Sequence, residues 1–342
     1  MCPRNRLILL LTAALFAASM LVVSSMMAQS EPQPSTPVFT PSPTQPVIVF
    51  SANGQPSLMY SDLYGVFRVY LSTDLNAPLT DRASHAIQPR WSPDGTRIAF
   101  TLTGTADTPL RLPDGLTDSA IAIMAADGSN PVLITEGRGE YAPAWSPDGQ
   151  TIAFASLPDR GVYLMDADGG NRRLVRDGVL VKSLSFAPDG ERLLVTAQED
   201  RLYRVTILNT GDGTMYRLLD DDRSAWDAVW SPDGRTIAFA TEDGILLTED
   251  EGRTTRQITP TGYMAFALED GTVVSDLAWS PEGTHLAVSV FSHRLAAAVS
   301  TPVPYERVGP QLAVIDIATG ELDLLTYGFT NSYPDWRPVV ID

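Results

Sequence analysis

Ala144-Trp145-Ser146-Pro147-Asp148-Gly149-Gln150-Thr151-Ile152-Ala153-Phe154 is the stretch that decides the fold. It returns as RWSPDGTRIAF at 90–100, SFAPDGERLLV at 185–195, VWSPDGRTIAF at 229–239 and AWSPEGTHLAV at 278–288. A clipped copy, Asp335-Trp336-Arg337-Pro338, lies near the C-terminus. The marker aromatics are Trp91, Trp145, Phe186, Trp230, Trp279 and Trp336, spaced 54, 41, 44, 49 and 57 residues apart. A period in the low forties with insertions is that of a propeller blade. In each copy an aromatic ends one strand, Pro-Asp-Gly turns the chain, and an alternating apolar run starts the next. Proline sets φ for the first corner, the Ser and Asp side chains bond local backbone, and glycine takes the positive φ. Turn chemistry accounts for Asp94, Asp148, Asp189 and Asp233 without assigning them to catalysis.

Four strands per blade fit the segments between markers. One blade uses 88–92, 97–102, 120–125 and 132–135, and others occupy 142–175, 182–219, 226–258 and 275–326. At the front, 47–51, 67–72 and 78–80 supply second, third and fourth strands without a first. At the back, 333–337 supplies a first strand alone. The expected architecture is all-β: a six-bladed β-propeller of four-stranded antiparallel blades, closed by pairing the N- and C-terminal strands, so that its sheet edges are covered.

The WSPDGxxIAF unit, followed by a strand such as Val162-Tyr163-Leu164-Met165-Asp166-Ala167-Asp168-Gly169-Gly170-Asn171, resembles the repeat of the TolB family of β-propellers. The resemblance covers 47–342. It implies a place in a cell-envelope assembly and a protein partner. The pattern departs from that family at the front: TolB proteins carry an α/β domain before the propeller, whereas here a proline-rich stretch precedes it.

Residues 1–28 hold Arg4 and Arg6 before an apolar run from Leu7 to Met27. Such a segment is a secretory signal peptide or an uncleaved signal-anchor, and basic residues only on its N-terminal side predict export of the rest. Cys2, the single cysteine, precedes the run, so the exported part holds no disulfide. Residues 29–46 are a Pro/Ser/Thr-rich linker with extended polyproline character. The expected domains are therefore 1–28, 29–46 and the propeller at 47–342, in a periplasmic or extracellular location, with membrane contact only through an uncleaved N-terminal segment.

The formal net charge is −17 at pH 7, and excluding Arg4 and Arg6 leaves 22 bases against 41 acids. That balance disfavours nucleic acid and anionic lipid as partners. Three scattered histidines (His85, His285, His293) and the absence of HExxH, CxxC, GxSxG or a glycine-rich phosphate loop point away from metal, cofactor and hydrolase chemistry. No catalytic residue, metal or cofactor is expected.

In an antiparallel blade, the first-to-second and third-to-fourth connections share one face. They are short throughout. The long insertions, 52–66, 103–119, 260–274 and 291–310, belong to the opposite set, so the opposite face is the expected working surface. Polar and aromatic residues three and four positions before the markers lie at the channel mouth on that face. Tyr141, Lys182, Trp226, Asp227, Asp276 and Tyr333 are the candidate binding residues. Two functions follow: a non-enzymatic protein-interaction scaffold, and a small-ligand or glycan binder using the channel mouth. An enzyme with an unrecognised site is a third class.

Overall fold

The structure is a computed structural model that describes residues 47–53, 64–70, 75–79, 86–103, 119–219, 223–241, 243–258, 274–290, 311–324, 330–336 and 338. The chain divides into Met1–Ser42 and Pro43–Asp342, and all described residues belong to the second unit. The expected leader (1–28), linker (29–46) and most of the four long insertions lie outside the described residues. Among the described residues no helix is long and apolar enough to cross a membrane.

Among the described residues every element is a strand. Three open the chain: β1 (Val47–Asn53), β2 (Tyr64–Tyr70) and β3 (Leu75–Pro78). Blade 1 follows as β4 (Ala86–Trp91), β5 (Arg97–Leu102), β6 (Ala120–Ala125) and β7 (Val132–Leu133). Blade 2 is β8 (Glu140–Trp145), β9 (Thr151–Ser156), β10 (Gly161–Asp166) and β11 (Arg173–Arg176). Blade 3 is β12 (Leu180–Phe186), β13 (Arg192–Glu199), β14 (Leu202–Asn209) and β15 (Met215–Arg217). Blade 4 is β16 (Ala225–Trp230), β17 (Ile237–Thr241), β18 (Gly244–Thr248) and β19 (Arg256–Gln257). Blade 5 is β20 (Val274–Trp279), β21 (His285–Val290), β22 (Gln311–Asp316) and β23 (Leu322–Leu324), after which β24 (Thr330–Trp336) returns to β1.

The blade count takes a correction. Counted as units cut from one unbroken stretch of chain, the wheel has five blades, not six. The remaining four-stranded sheet, in the order β24-β1-β2-β3, is assembled from both ends of the propeller. In it β24 runs antiparallel to β1, with Ile48 opposite Trp336 and Asn53 opposite Thr330. This closing sheet packs against blade 5 through β20 and against blade 1 through β4. Its third and fourth strands also begin earlier than the hydrophobic pattern implies: they are Tyr64–Tyr70 and Leu75–Pro78, not 67–72 and 78–80.

The second strands of blades 1 to 4 are buried on both faces because each blade is sandwiched between two neighbours. Thr151–Ser156 and Ile237–Thr241 therefore read as nearly continuous apolar runs. Alternation within the run still sorts the faces. Ile152 and Phe154 pack back onto Ile121 and Ile123 of blade 1, while Ala153 and Ala155 face Val181, Leu193 and Val195 of blade 3. Blade 4 repeats the division: Ile237 and Phe239 meet Val205 and Ile207 of blade 3, and Ala238 and Ala240 meet Leu286 and Val288 of blade 5. A small face thus opposes a bulky face at each of these seams. Phe154 and Phe239 are wholly buried, and truncation of such a residue costs about 3–5 kcal/mol.

The marker indoles bind the seams together. Trp145 Nε1 donates to the Arg90 carbonyl (3.2 Å), Trp279 Nε1 to Val229 (3.2 Å) and Trp336 Nε1 to Ala278 (3.1 Å). In each case the acceptor is the residue just before the preceding blade's own marker. The hairpin after the marker closes as its residues dictate. Ser146 Oγ donates to Asp148 Oδ1 (2.5 Å) and accepts the Thr151 N–H (2.9 Å), while Asp148 Oδ1 accepts the Gln150 N–H (3.0 Å). The Ser146 hydroxyl and then the Gln150 amide hold the Asp148 carboxyl below the usual range, and Ser231 and Arg235 do the same for Asp233.

A second seam contact comes from the turn between third and fourth strands. Gly169, in the left-handed region at φ 92°, lies so close to the Ile134 carbonyl that a Cβ would stand 2.5 Å from its oxygen. Gly213 approaches the Val175 carbonyl of blade 2 in the same manner, and Gly252 does so at Leu218 of blade 3. Any side chain there would collide with backbone, which explains the repeated Gly in these turns beyond its conformational freedom.

Candidate functional site: the inner-strand bulges and a seam cavity

Every innermost strand breaks register at the same level. The shifts fall between Ile87 and Arg90, Tyr141 and Ala144, Val181 and Ser183, Ala225 and Asp227, and Ser275 and Leu277, and in the closing sheet between Val49 and Ser51 of β1 opposite β24. These are β-bulges, which bend a strand and re-aim its side chains. Gln88, Ala142 and Asp276 take positive φ there (53°, 53° and 62°), strained for residues that bear a Cβ. The bulge also explains why the inner strands begin one or two residues earlier than their alternation suggests, at Ala86, Glu140, Leu180, Ala225 and Val274.

The structure places the candidate binding residues along this ring and gives most of them neighbours in the next blade. Asp227 is 2% exposed; its Oδ1 accepts from Ser183 Oγ of blade 3 (2.5 Å) and its Oδ2 from the Leu277 N–H of blade 5 (2.7 Å). Tyr141 donates its hydroxyl to the Val181 carbonyl (2.7 Å), and burial first, then Tyr203, pushes its phenol above the ordinary value. Lys182 donates to the Trp226 carbonyl (2.8 Å) and lies over the Tyr203 ring at 5.6 Å. Trp226 is half-buried and packs against the Ala238–Ile245 cluster of blade 4. Asp276 is buried at a bulge. Tyr333 lies in β24, and its side chain is outside the described residues.

Two further inner-strand residues act in the same way. Gln88 Oε1 accepts from Thr101 Oγ1 (2.9 Å) and from the Ala142 N–H (3.0 Å), pinning the strained bulge of the next blade. Asp335 Oδ2 accepts the Trp91 N–H (2.6 Å) across the closing seam, and burial drives its carboxyl up to about 6 despite the opposing pull of Arg90. Although Asp335 as a whole is half-buried, its carboxyl is enclosed. These groups each bridge adjacent sheets, which is a chemistry of cohesion. A polar residue three places before a marker carries no sign in the sequence of which neighbour it bonds.

A second constellation carried no sequence signal at all. Between blades 1 and 2 a cavity of 540 Å³ is lined by residues of 134–140, 156–159 and β10, with Arg172. Glu140 is fully buried, where the equivalent positions in other blades are apolar (Ala86, Val181, Ala225). Arg172 Nη1 donates to Glu140 Oε1 (3.1 Å), and the Arg138 N–H donates to Glu140 Oε2 (2.8 Å). The Arg172 guanidinium stacks over Tyr163 (4.4 Å) and Phe154 (5.0 Å), whose rings are themselves stacked at 5.5 Å. Asp159 Oδ2 accepts from Tyr163 Oη (2.9 Å) and Ser156 Oγ (3.1 Å). Burial, and then the bond to Asp159, raise the Tyr163 phenol, so it stays a donor. Glu140 and Arg172 lie 32 positions apart, and no periodicity joins them. Among the described residues no group of three or more His, Cys, Asp or Glu side chains is placed to hold a metal ion.

A family model, the TolB beta propeller domain, matches residues 113–340. The structure is similar to TolB from Acinetobacter baumannii (TM-score 0.65, 16% identity, covering 87% of this chain and 68% of that one). It is also similar to a putative TolB from Agrobacterium tumefaciens (TM-score 0.58, 17% identity, covering 86% and 99%). A chain of a nidogen–laminin complex matches at TM-score 0.63 with 10% identity, covering 86% and 100%. At such identities the solved structures speak for the fold alone. No curated protein matches by sequence.

Proposed function

The chain belongs to the TolB β-propeller domain family, and from that premise we propose that it is an exported, non-enzymatic scaffold binding a protein partner in the cell envelope. The working surface is the face that carries the blade-to-blade and second-to-third connections. One observation carries this: the strand ends concentrate the length on that face. Leu102 to Ala120, Gln257 to Val274 and Val290 to Gln311 span long connections, whereas Trp91 to Arg97, Trp145 to Thr151 and Trp230 to Ile237 are tight turns. Loops on a rigid scaffold are where binding concentrates. The engagement of Asp227, Tyr141 and Lys182 in seam bonds supports the same reading, because it commits their polar atoms to the wheel.

Crosslinking pull-down from envelope fractions tests it, with the full chain as bait and a variant whose 103–119 and 291–310 connections are cut to short Gly-Ser links. Recovery of a partner by the first and its loss with the second is the expected outcome. Equal recovery by both, or none by either, would overturn the assignment of the face. A thermal-shift screen with sugars and small peptides covers the second function: stabilisation abolished by Trp226→Ala would move the site to the channel mouth, since a ligand raises stability as RT ln(1 + [L]/Kd).

A further inference from the structure

The cavity between blades 1 and 2 is lined by three carboxylates, Glu136, Glu140 and Asp159, and by two guanidiniums, Arg138 and Arg172, so one negative charge is in excess. Asp159 collects both of its hydrogen bonds, from Tyr163 and Ser156, on Oδ2, which leaves Oδ1 without a donor among the described residues. Two fixed donors and the nearby Arg172 (4.0 Å) orient the carboxylate, so a ligand meeting Oδ1 has no rotamer to freeze. Arg172 does not cancel that charge, because its closer partner is the buried Glu140 at 3.1 Å. Glu136, which also lines the cavity, has a side chain 72% exposed, and its one ion pair among the described residues, with the equally exposed Arg138, is of the kind worth little in water. Immediately before the lining residue Ile134, on the outermost strand of blade 1, Val132 and Leu133 stand 59% and 55% exposed. The volume of 540 Å³ is within the range of small-ligand sites and has room for more than one side chain.

We propose that this seam cavity docks an extended basic-and-apolar segment of a protein partner, with a lysine or arginine between Asp159 and Glu136 and an apolar neighbour on Val132 and Leu133. Charge complementarity selects the occupant: a chain of formal net charge −17 attracts a cationic segment and repels an acidic one. The stretches 134–139 and 157–160 are a blade-to-blade and a second-to-third connection, so part of the lining belongs to the long-connection set, while Gly169 comes from the opposite set of turns. The proposal rests on the scaffold function and names the chemistry of its partner.

The probe is a fluorescein-labelled alternating Lys–Leu peptide, its anisotropy followed with the full chain at low and moderate salt. An alternating Glu–Leu peptide serves as the acidic control. Asp159→Asn and Glu136→Gln are each expected to weaken Lys–Leu binding about tenfold with an unchanged Tm. Asp323→Asn, which removes the same charge from exposed β23 of blade 5, is expected to leave it unaltered. The proposal is overturned if Asp159→Asn and Glu136→Gln both bind as wild type, if Asp323→Asn weakens binding equally, or if the Glu–Leu peptide binds as well. The envelope pull-down separates the two claims: a partner still recovered by Asp159→Asn/Glu136→Gln preserves the scaffold function and removes this cavity from it.

Discussion

Replacing Asp335 by asparagine should make the protein more stable at neutral pH and less stable in acid. In the folded wheel this carboxyl accepts the Trp91 N–H across the closing seam, and burial lifts it from the ordinary 3.8 to about 6. A folded value above the unfolded one means that the fold holds the proton more tightly. Its contribution is therefore fully present below pH 4, declines as pH rises through 6, and is absent above 7. The difference between those two values corresponds to about 3 kcal/mol at roughly 1.4 kcal/mol per pH unit. Asparagine keeps an oxygen for Trp91 and never ionises, but it brings an amide N–H₂ that must find its own acceptor, at a cost of about 1–2 kcal/mol. The net gain expected at pH 8 is then about 1–2 kcal/mol, turning into a loss of similar size at pH 4. Urea midpoints read by tryptophan fluorescence at pH 4, 6 and 8 measure both. The decisive quantity is the change in the variant-minus-wild-type difference between pH 4 and 8, because every other titrating group cancels from it. A difference that stays constant over that range would refute the burial argument.

Other expectations follow from the seams. Gly252→Ala sets a Cβ against the Leu218 carbonyl at positive φ, and should cost about 3 kcal/mol or more, against about 1–2 kcal/mol for Gly178→Ala, which meets open space and carries only the penalty of its φ; thermal unfolding of the pair decides whether the contact or the dihedral dominates. Trp279→Phe keeps most of the buried ring and loses the bond to Val229, so a destabilisation of about 1–2 kcal/mol is expected in urea titration. Asp227→Ala strips acceptors from both Ser183 and the Leu277 N–H and should cost about 3 kcal/mol, while Asp148→Ala, on an exposed turn, should cost about 1 kcal/mol. Should Asp227→Ala unfold no earlier than Asp148→Ala, its place as a seam bond fails. Because the turn carboxylates Asp148 and Asp233 are held below their ordinary values, their contribution is present above about pH 4 and is lost as pH falls through the folded values; Asp148→Asn should therefore narrow the gap to wild type below pH 3.

The hairpins were legible because Ser-Pro-Asp-Gly encodes a local hydrogen-bond pattern, and local chemistry can be read from adjacent letters. Strand beginnings were not: the bulges at Gln88, Ala142 and Asp276 insert a residue into the alternation, so the period fails where the strand continues. The function of polar inner-strand positions was equally hidden. Asp227 looks the same in sequence whether it faces a ligand or the Leu277 amide, and only the 50-residue separation closed by folding distinguishes them. The Glu140–Arg172–Asp159 cluster lay further out of reach, since it is made by a seam between blades and does not repeat among the described residues.

The closing sheet gives the wheel a mechanical character. Val47 and Trp336 leave it from the same edge, since Ile48 sits opposite Trp336 and Asn53 opposite Thr330 at the far end. Tension pulling those two points apart would unzip the pair one rung at a time rather than shear all of its rungs together. A load passed through the hub of the wheel would meet the blades in parallel, whereas one applied between its ends would find a zip fastener.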